Sequence, residues 1–102
     1  MKKLILAGFV AVSSLTMAGS VLAGDAVAGK AKAASCVACH GTNGISIMPI
    51  YPNLAGQKDA YLEAQIKAFR DGTRTNATMA PMVKSLTDAD AANIAAFFSA
   101  MK

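Results

Sequence analysis

Cys36-Val37-Ala38-Cys39-His40 is the one stretch of this chain in which soft, nucleophilic and metal-binding side chains crowd together. Two thiols three residues apart can add to the two vinyl groups of a single haem and form thioether links. The histidine that follows is then held against the iron. Cys-x-x-Cys-His therefore reads as a site of covalent haem attachment, with Cys36 and Cys39 as anchors and His40 as iron ligand. Three other chemistries share the Cys-x-x-Cys spacing and fit less well. A thioredoxin-like redox pair needs a βαβ setting, which the pattern does not offer. A structural zinc site needs about four Cys or His ligands, and the chain has two cysteines and one histidine in all. A disulfide between residues three apart would close a tiny loop and stabilise little.

Because His40 is the only histidine, a second axial ligand must be a methionine, another group, or absent. Met48, Met79 and Met82 lie in segments that could reach an iron. Met48 follows His40 by eight residues and leaves on the same side of the ligand. Met79 and Met82 sit in a later loop that can cross to the opposite face. A methionine is otherwise adaptable core filler. A thioether opposite histidine favours reduced iron and raises the potential.

The elements that must position these residues read as helices joined by long loops. Asp25 can cap an alanine-rich helix running toward Cys36. From His40 to Gln57, Gly41, Gly44, Pro49, Pro52 and Gly56 punctuate a loop. Leu62, Ile66 and Phe69 return at helical spacing, and Gly72 can close that helix. Residues 73–86 read as a second irregular segment. Thr87 with Asp90 resembles a capping box that opens a last helix, whose apolar stripe is Ile94, Phe97, Phe98 and Met101. No strand alternation or internal repeat is visible. Loops this long are expected only where they have a function, here as walls around the cofactor.

The N-terminus adds a compartment. Lys2 and Lys3, an apolar run from Leu4 to about Met17, and Val21 and Ala23 before Gly24 form the three parts of a secretory signal peptide. The run is broken by Ser13, Ser14 and Thr16 and falls short of the ~20 residues that span a bilayer. The expected division is a cleaved signal over 1–23 and one domain over 24–102, exported, periplasmic and without stable membrane insertion. Removing residues 1–23 of 102 takes Lys2 and Lys3 with it and lowers the net charge from +4 to +2. No basic stripe remains for nucleic acid. Lys30, Lys32, Lys58 and Lys84 read as ordinary solvated surface. The remaining 79 residues, with Tyr51, Tyr61, Phe69, Phe97 and Phe98 as their aromatics, are near the size where a core needs a staple. A large apolar cofactor would supply one.

The chain resembles the small bacterial class I cytochromes c, near the single-domain relatives of the tandem dihaem periplasmic cytochromes. The matching pieces are Gly24-Asp25-Ala26 with Gly29-Lys30, Cys36 to Gly41, Tyr51-Pro52-Asn53-Leu54-Ala55-Gly56-Gln57, Phe69-Arg70-Asp71-Gly72, Met79-Ala80-Pro81-Met82 and Leu86-Thr87-Asp88. They cover nearly all of 24–102. The resemblance implies an all-α fold of three to four short helices and long loops around one covalent haem c. It implies electron transfer rather than catalysis. It selects Met79, seven residues before Leu86, as the distal ligand of the iron, with Met82 as packing. It makes the Pro52 carbonyl the acceptor that orients His40, and it places Gly29 where an aromatic of the last helix, Phe97, packs on backbone. The expected partners are redox proteins: a membrane oxidoreductase, a terminal oxidase or a dehydrogenase. Two other functions remain open: a haem subunit of a larger dehydrogenase complex, and a haem sensor or enzyme with an open sixth site.

Overall fold

The computed structural model describes residue 8 and residues 24–102. The signal peptide expected over 1–23 lies, residue 8 apart, outside the described residues. Five helices follow in order: α1 (Ala26–Lys32), α2 (Ala34–His40), α3 (Asp59–Asp71), α4 (Met79–Val83) and α5 (Asp88–Ser99). The described residues contain no strand. None of their helices is long and apolar enough to cross a membrane.

Three to four helices are expected from the sequence, and two local features raise the number to five. The alanine-rich run after Asp25 is divided at Ala33, a turn residue. The Ala33 N–H closes α1 on the Gly29 carbonyl, while its own carbonyl accepts from Cys36 and Val37. The late segment is not wholly irregular either. Asn76 Oδ1 accepts from the N–H groups of Thr78 and Met79, both at 2.9 Å. The Asn76 carbonyl accepts from Ala80. These bonds start the single turn of α4. Pro81 is its third residue, where the missing N–H has no intrahelical acceptor to lose.

The capping signals hold. Asp25 accepts from Val27 and Ala28 at the start of α1. Thr87 and Asp90 form a reciprocal capping box at the start of α5. Those bonds, led by the one from the Thr87 backbone, hold the Asp90 carboxyl below its usual range, and Lys32 adds to the effect. Gly72 ends α3 in the left-handed region at φ 82°.

The core is small. Ala33, Leu62, Ile94, Ala95 and Phe98 form its centre. Cys36, Val37, Leu54, Ile66, Leu86, Phe97 and Met101 pack around them, half-buried. Helix α5 is the hub: α1 and α3 both pack on it, and α4 packs on α3.

Helix α1 approaches the backbone of α5 closely at Gly29. A Cβ placed on Gly29 would lie 1.9 Å from the Asn93 carbonyl oxygen and 3.0 Å from the Ile94 nitrogen. Gly29 thus lies against the backbone of α5 at Asn93. Phe97 lies one turn further on and meets Phe98 edge-on, with centroids 5.0 Å apart. The Asp25 N–H donates to Asn93 Oδ1 at 2.8 Å, so both atoms of the Asn93 side-chain/backbone pair serve this crossing.

Gly29→Ala should therefore destabilise the protein by about 1–3 kcal/mol, as forced overpacking does, although alanine is the better helix former by ~1 kcal/mol. Guanidinium denaturation of the purified protein measures it, and an unchanged or raised midpoint would contradict the backbone contact.

Candidate cofactor site

Helix α2 brings the motif together. Cys36 and Cys39 are free thiols one turn apart, both half-buried. Burial pushes the Cys36 thiol above its ordinary value, partly offset by hydrogen bonds from Ser35 and its own backbone. His40 ends the helix. It is the buried polar residue among those described, with 6% of its surface exposed.

The chain must turn sharply after His40, and Gly41 allows it. It sits at φ 90°, donating to the Val37 carbonyl. A Cβ there would fall 2.0 Å from the Ile45 carbonyl oxygen. Gly44, at φ 73°, repeats the device: its carbonyl accepts from Leu54 and Ala55, drawing the far end of the loop back to its start.

That closure sets the orientation of the histidine. His40 Nδ1 lies 2.8 Å from the Pro52 carbonyl oxygen. A carbonyl can only accept, so Nδ1 carries the proton and Nε2 keeps its lone pair. A metal-binding imidazole is commonly fixed in this way, with the second nitrogen tied to an acceptor and the first left for the metal. The site thus offers two thiols on one helix face and an adjacent buried imidazole with an unprotonated Nε2. This donor set fits a covalent haem and its iron.

Two residues that position Pro52 are not apparent from the sequence motif. The Ser46 N–H donates to Asn53 Oδ1 at 2.9 Å. The Ser46 hydroxyl lies within reach of the Met48 and Tyr51 carbonyls. Gln57 Nε2 donates to the Asn53 carbonyl. Ser46 and Asn53 thereby close residues 46–53 into a loop of fixed shape, with Pro52 next to its neck. A polar pair bracketing an apolar loop was the available signal.

The three candidate methionines are placed differently. Met79 opens α4 and is half-buried. Met48 and Met82 are 52% and 44% exposed. Arg70 holds the segment that carries Met79 at both ends. Its guanidinium meets Asp71 at the end of α3, the Leu86 carbonyl, and Asp88 at the start of α5. These carboxylates raise the Arg70 pKa further. Arg74 adds a cation–π contact to Phe69, 4.5 Å from the ring centroid.

The family model for cytochrome c matches residues 26–102. The chain is 54% identical over 83 residues to cytochrome c-554(548) of Halomonas halodenitrificans, covering 78% of this chain and all of that one. It is 50% identical over 80 residues to cytochrome c4 of Pseudomonas aeruginosa, again covering 78% of this chain but only 40% of the relative. The crystal structure of reduced recombinant cytochrome c4 from Pseudomonas stutzeri superposes with a TM-score of 0.74 at 42% identity, over 78% of this chain and 47% of that one. The chain thus spans a whole relative in one case and less than half in the others.

Ser46→Ala removes the hydroxyl from the loop neck. It should cost about 1 kcal/mol, the net worth of one hydrogen bond. It should also speed exchange of the His40 Nδ1 proton with solvent, read by NMR on the reduced haem protein. An unchanged exchange rate would show that Pro52 is held without Ser46.

Proposed function

The chain belongs to the cytochrome c family, and from that premise we propose that it works as a free periplasmic electron carrier whose single haem is attached at Cys36 and Cys39 and ligated by His40 and Met79. It carries one covalently bound haem c and is an electron-transfer protein, not an enzyme. The observation that carries the site assignment is the His40–Pro52 bond beside the two free thiols.

A haem held by Cys36, Cys39, His40 and Met79 would supply a one-electron couple. The residues set how that couple behaves. Pro52 keeps Nδ1 protonated and so presents Nε2 to the iron. Burial of His40 keeps water from competing for that nitrogen. Met79 would supply a soft thioether on the other face, which favours the reduced state. Its half-buried place at the start of α4 supports it over the more exposed Met48 and Met82. With ligands held on both faces, a change of charge requires little movement of the protein.

The carrier reading includes export. Residues 1–23 would be removed as a signal peptide, leaving a chain that begins at Gly24 and meets redox partners such as a membrane oxidoreductase, a terminal oxidase or a dehydrogenase. The intact mass of the protein from its native host should correspond to residues 24–102 plus one haem. A mass that includes 1–23 would favour an uncleaved anchor.

Met79→Ala tests the distal ligand. The variant should keep its covalent colour and lose the iron–sulfur absorption band of the oxidised protein. Its potential should fall, within the ~0.8 V range over which axial ligands set haem potentials. It should bind carbon monoxide readily when reduced, which the parent resists. Met82→Ala, at a side chain nearly half in solvent, should keep the band and change stability by about 0.5 kcal/mol or less. The reverse pattern would assign Met82, and an unchanged band in both variants would assign neither.

A further inference from the structure

Arg70 has more partners than a surface ion pair provides. Its side chain, in the last turn of α3, is only 19% exposed. Nε and Nη2 donate to the two carboxylate oxygens of Asp71, at 2.8 and 3.3 Å. Nη1 lies 3.2 Å from the Leu86 carbonyl oxygen and 2.8 Å from Asp88 Oδ1. Asp71 ends α3 and Asp88 opens α5. One guanidinium thus ties together the two ends of residues 72–86.

The hold passes on to α4. The Leu86 N–H donates to the Val83 carbonyl at 3.0 Å. Val83 is the last residue of α4 and is buried. Met79 is the first, and its N–H is fixed from the other direction by Asn76 Oδ1 at 2.9 Å. Arg70, Leu86 and α4 therefore form one continuous line of contacts that ends at Met79.

We propose that Arg70 is a positioning residue for Met79: by holding the Leu86 carbonyl and Asp88 it fixes the end of α4 and so keeps the thioether from leaving the iron. This role rests on Met79 as the distal ligand. The bond between the neighbours Arg70 and Asp71 spans no gap in the fold, whereas those to Leu86 and Asp88 cross from α3 to α5. A guanidinium serves several acceptors at once through its rigid fork of five donors, which an ammonium does not reproduce. Its bond to the Leu86 carbonyl is charge-assisted and stronger than one between neutral groups. Lys67, one turn earlier on α3, is engaged by Glu63 Oε1 at 2.8 Å and does not stand in for it.

Stopped-flow mixing of the oxidised, haem-loaded protein with imidazole tests this. Imidazole takes the sixth position only after the thioether has left. At saturating imidazole, the rate at which the iron–sulfur band disappears therefore reports the opening of the segment. Arg70→Gln should raise that rate about tenfold or more, because a hydrogen bond from a charged donor is lost. Arg70→Lys, which keeps the charge but not the fork, should fall between, and it carries the same test if Arg70→Gln does not fold. Amide exchange at Ala80 and Leu86 should quicken by more than the change in global stability accounts for, a readout independent of the iron. Gly29→Ala weakens the fold at the α1–α5 crossing but leaves the contacts of Arg70 in place, so it should keep the parent's rate. Arg70 variants that take up imidazole as slowly as the parent overturn the proposal. So does an equal rise in Gly29→Ala at a matched loss of stability. Met79→Ala separates the two claims. If it keeps the iron–sulfur band, the ligand assignment falls and this role with it. If it loses the band while the Arg70 variants behave as the parent, only the role of Arg70 falls.

Discussion

The hydrogen bond from His40 Nδ1 to the Pro52 carbonyl joins the end of a helix to a loop residue twelve positions later, and much of the molecule is arranged so that it can form. A buried imidazole can present either nitrogen. A fixed acceptor at one of them decides the tautomer and the ring plane together. That acceptor is a backbone atom, so it cannot be supplied by a side chain that swings in. The loop itself must have one shape. Gly41 and Gly44 take positive φ values to turn the chain back, and Gly44 receives Leu54 and Ala55 on its carbonyl. Ser46 and Asn53 close the remainder. Glycine is required at these two turns because a Cβ would strike Ile45 in one case and Ala55 in the other.

The helices solve a different problem with few large side chains. The centre of the core holds two alanines beside Leu62, Ile94 and Phe98. Small residues allow helix backbones to approach closely, and the contact of Gly29 with the Asn93 carbonyl is that approach taken to its limit. A packing of this kind gains cohesion from fit rather than from area, and a domain of this size has little area to spend. The covalent haem complements it. Cys36 and Val37, which flank the attachment, already pack on the core cluster. The cofactor is therefore anchored to the same helix that the core holds in place, and function and stability share one element.

How much of this was legible in the sequence depended on whether the information was local. The Cys-x-x-Cys-His run, the Asp25 cap and the Thr87–Asp90 box are local patterns, and each stands where the residues place it. Leu62, Ile66 and Phe69 show helical spacing, and Gly72 closes their helix in the left-handed region. Legibility ended where the deciding contact was distant or subtle. The nearest neighbour of Gly29 is the backbone of a helix more than sixty residues later, which no local pattern reports. The late segment was read as irregular because Pro81 and two methionines gave no helical period. A single turn needs no period, only the Asn76 side chain to start it.

The two segments proposed to hold the iron are secured differently, and that asymmetry has a physical sense. His40 follows directly on Cys39, ends an α-helix and is held by a closed loop. The segment from Gly72 to Leu86 carries one short turn, fastened at its ends and by the buried Val83. Arg70 grips Asp71, the Leu86 carbonyl and Asp88, so the segment is a strap clamped where it leaves α3 and where it enters α5. A thioether is a neutral and weaker iron ligand than an imidazole, so Met79 would serve in the proposed role only if the strap kept its sulfur in reach. The core adds a third hold, because Val83 within the segment is 2% exposed and Leu86 at its end packs against the core cluster, so the core helices would set the place of Met79 as the proposed ligand.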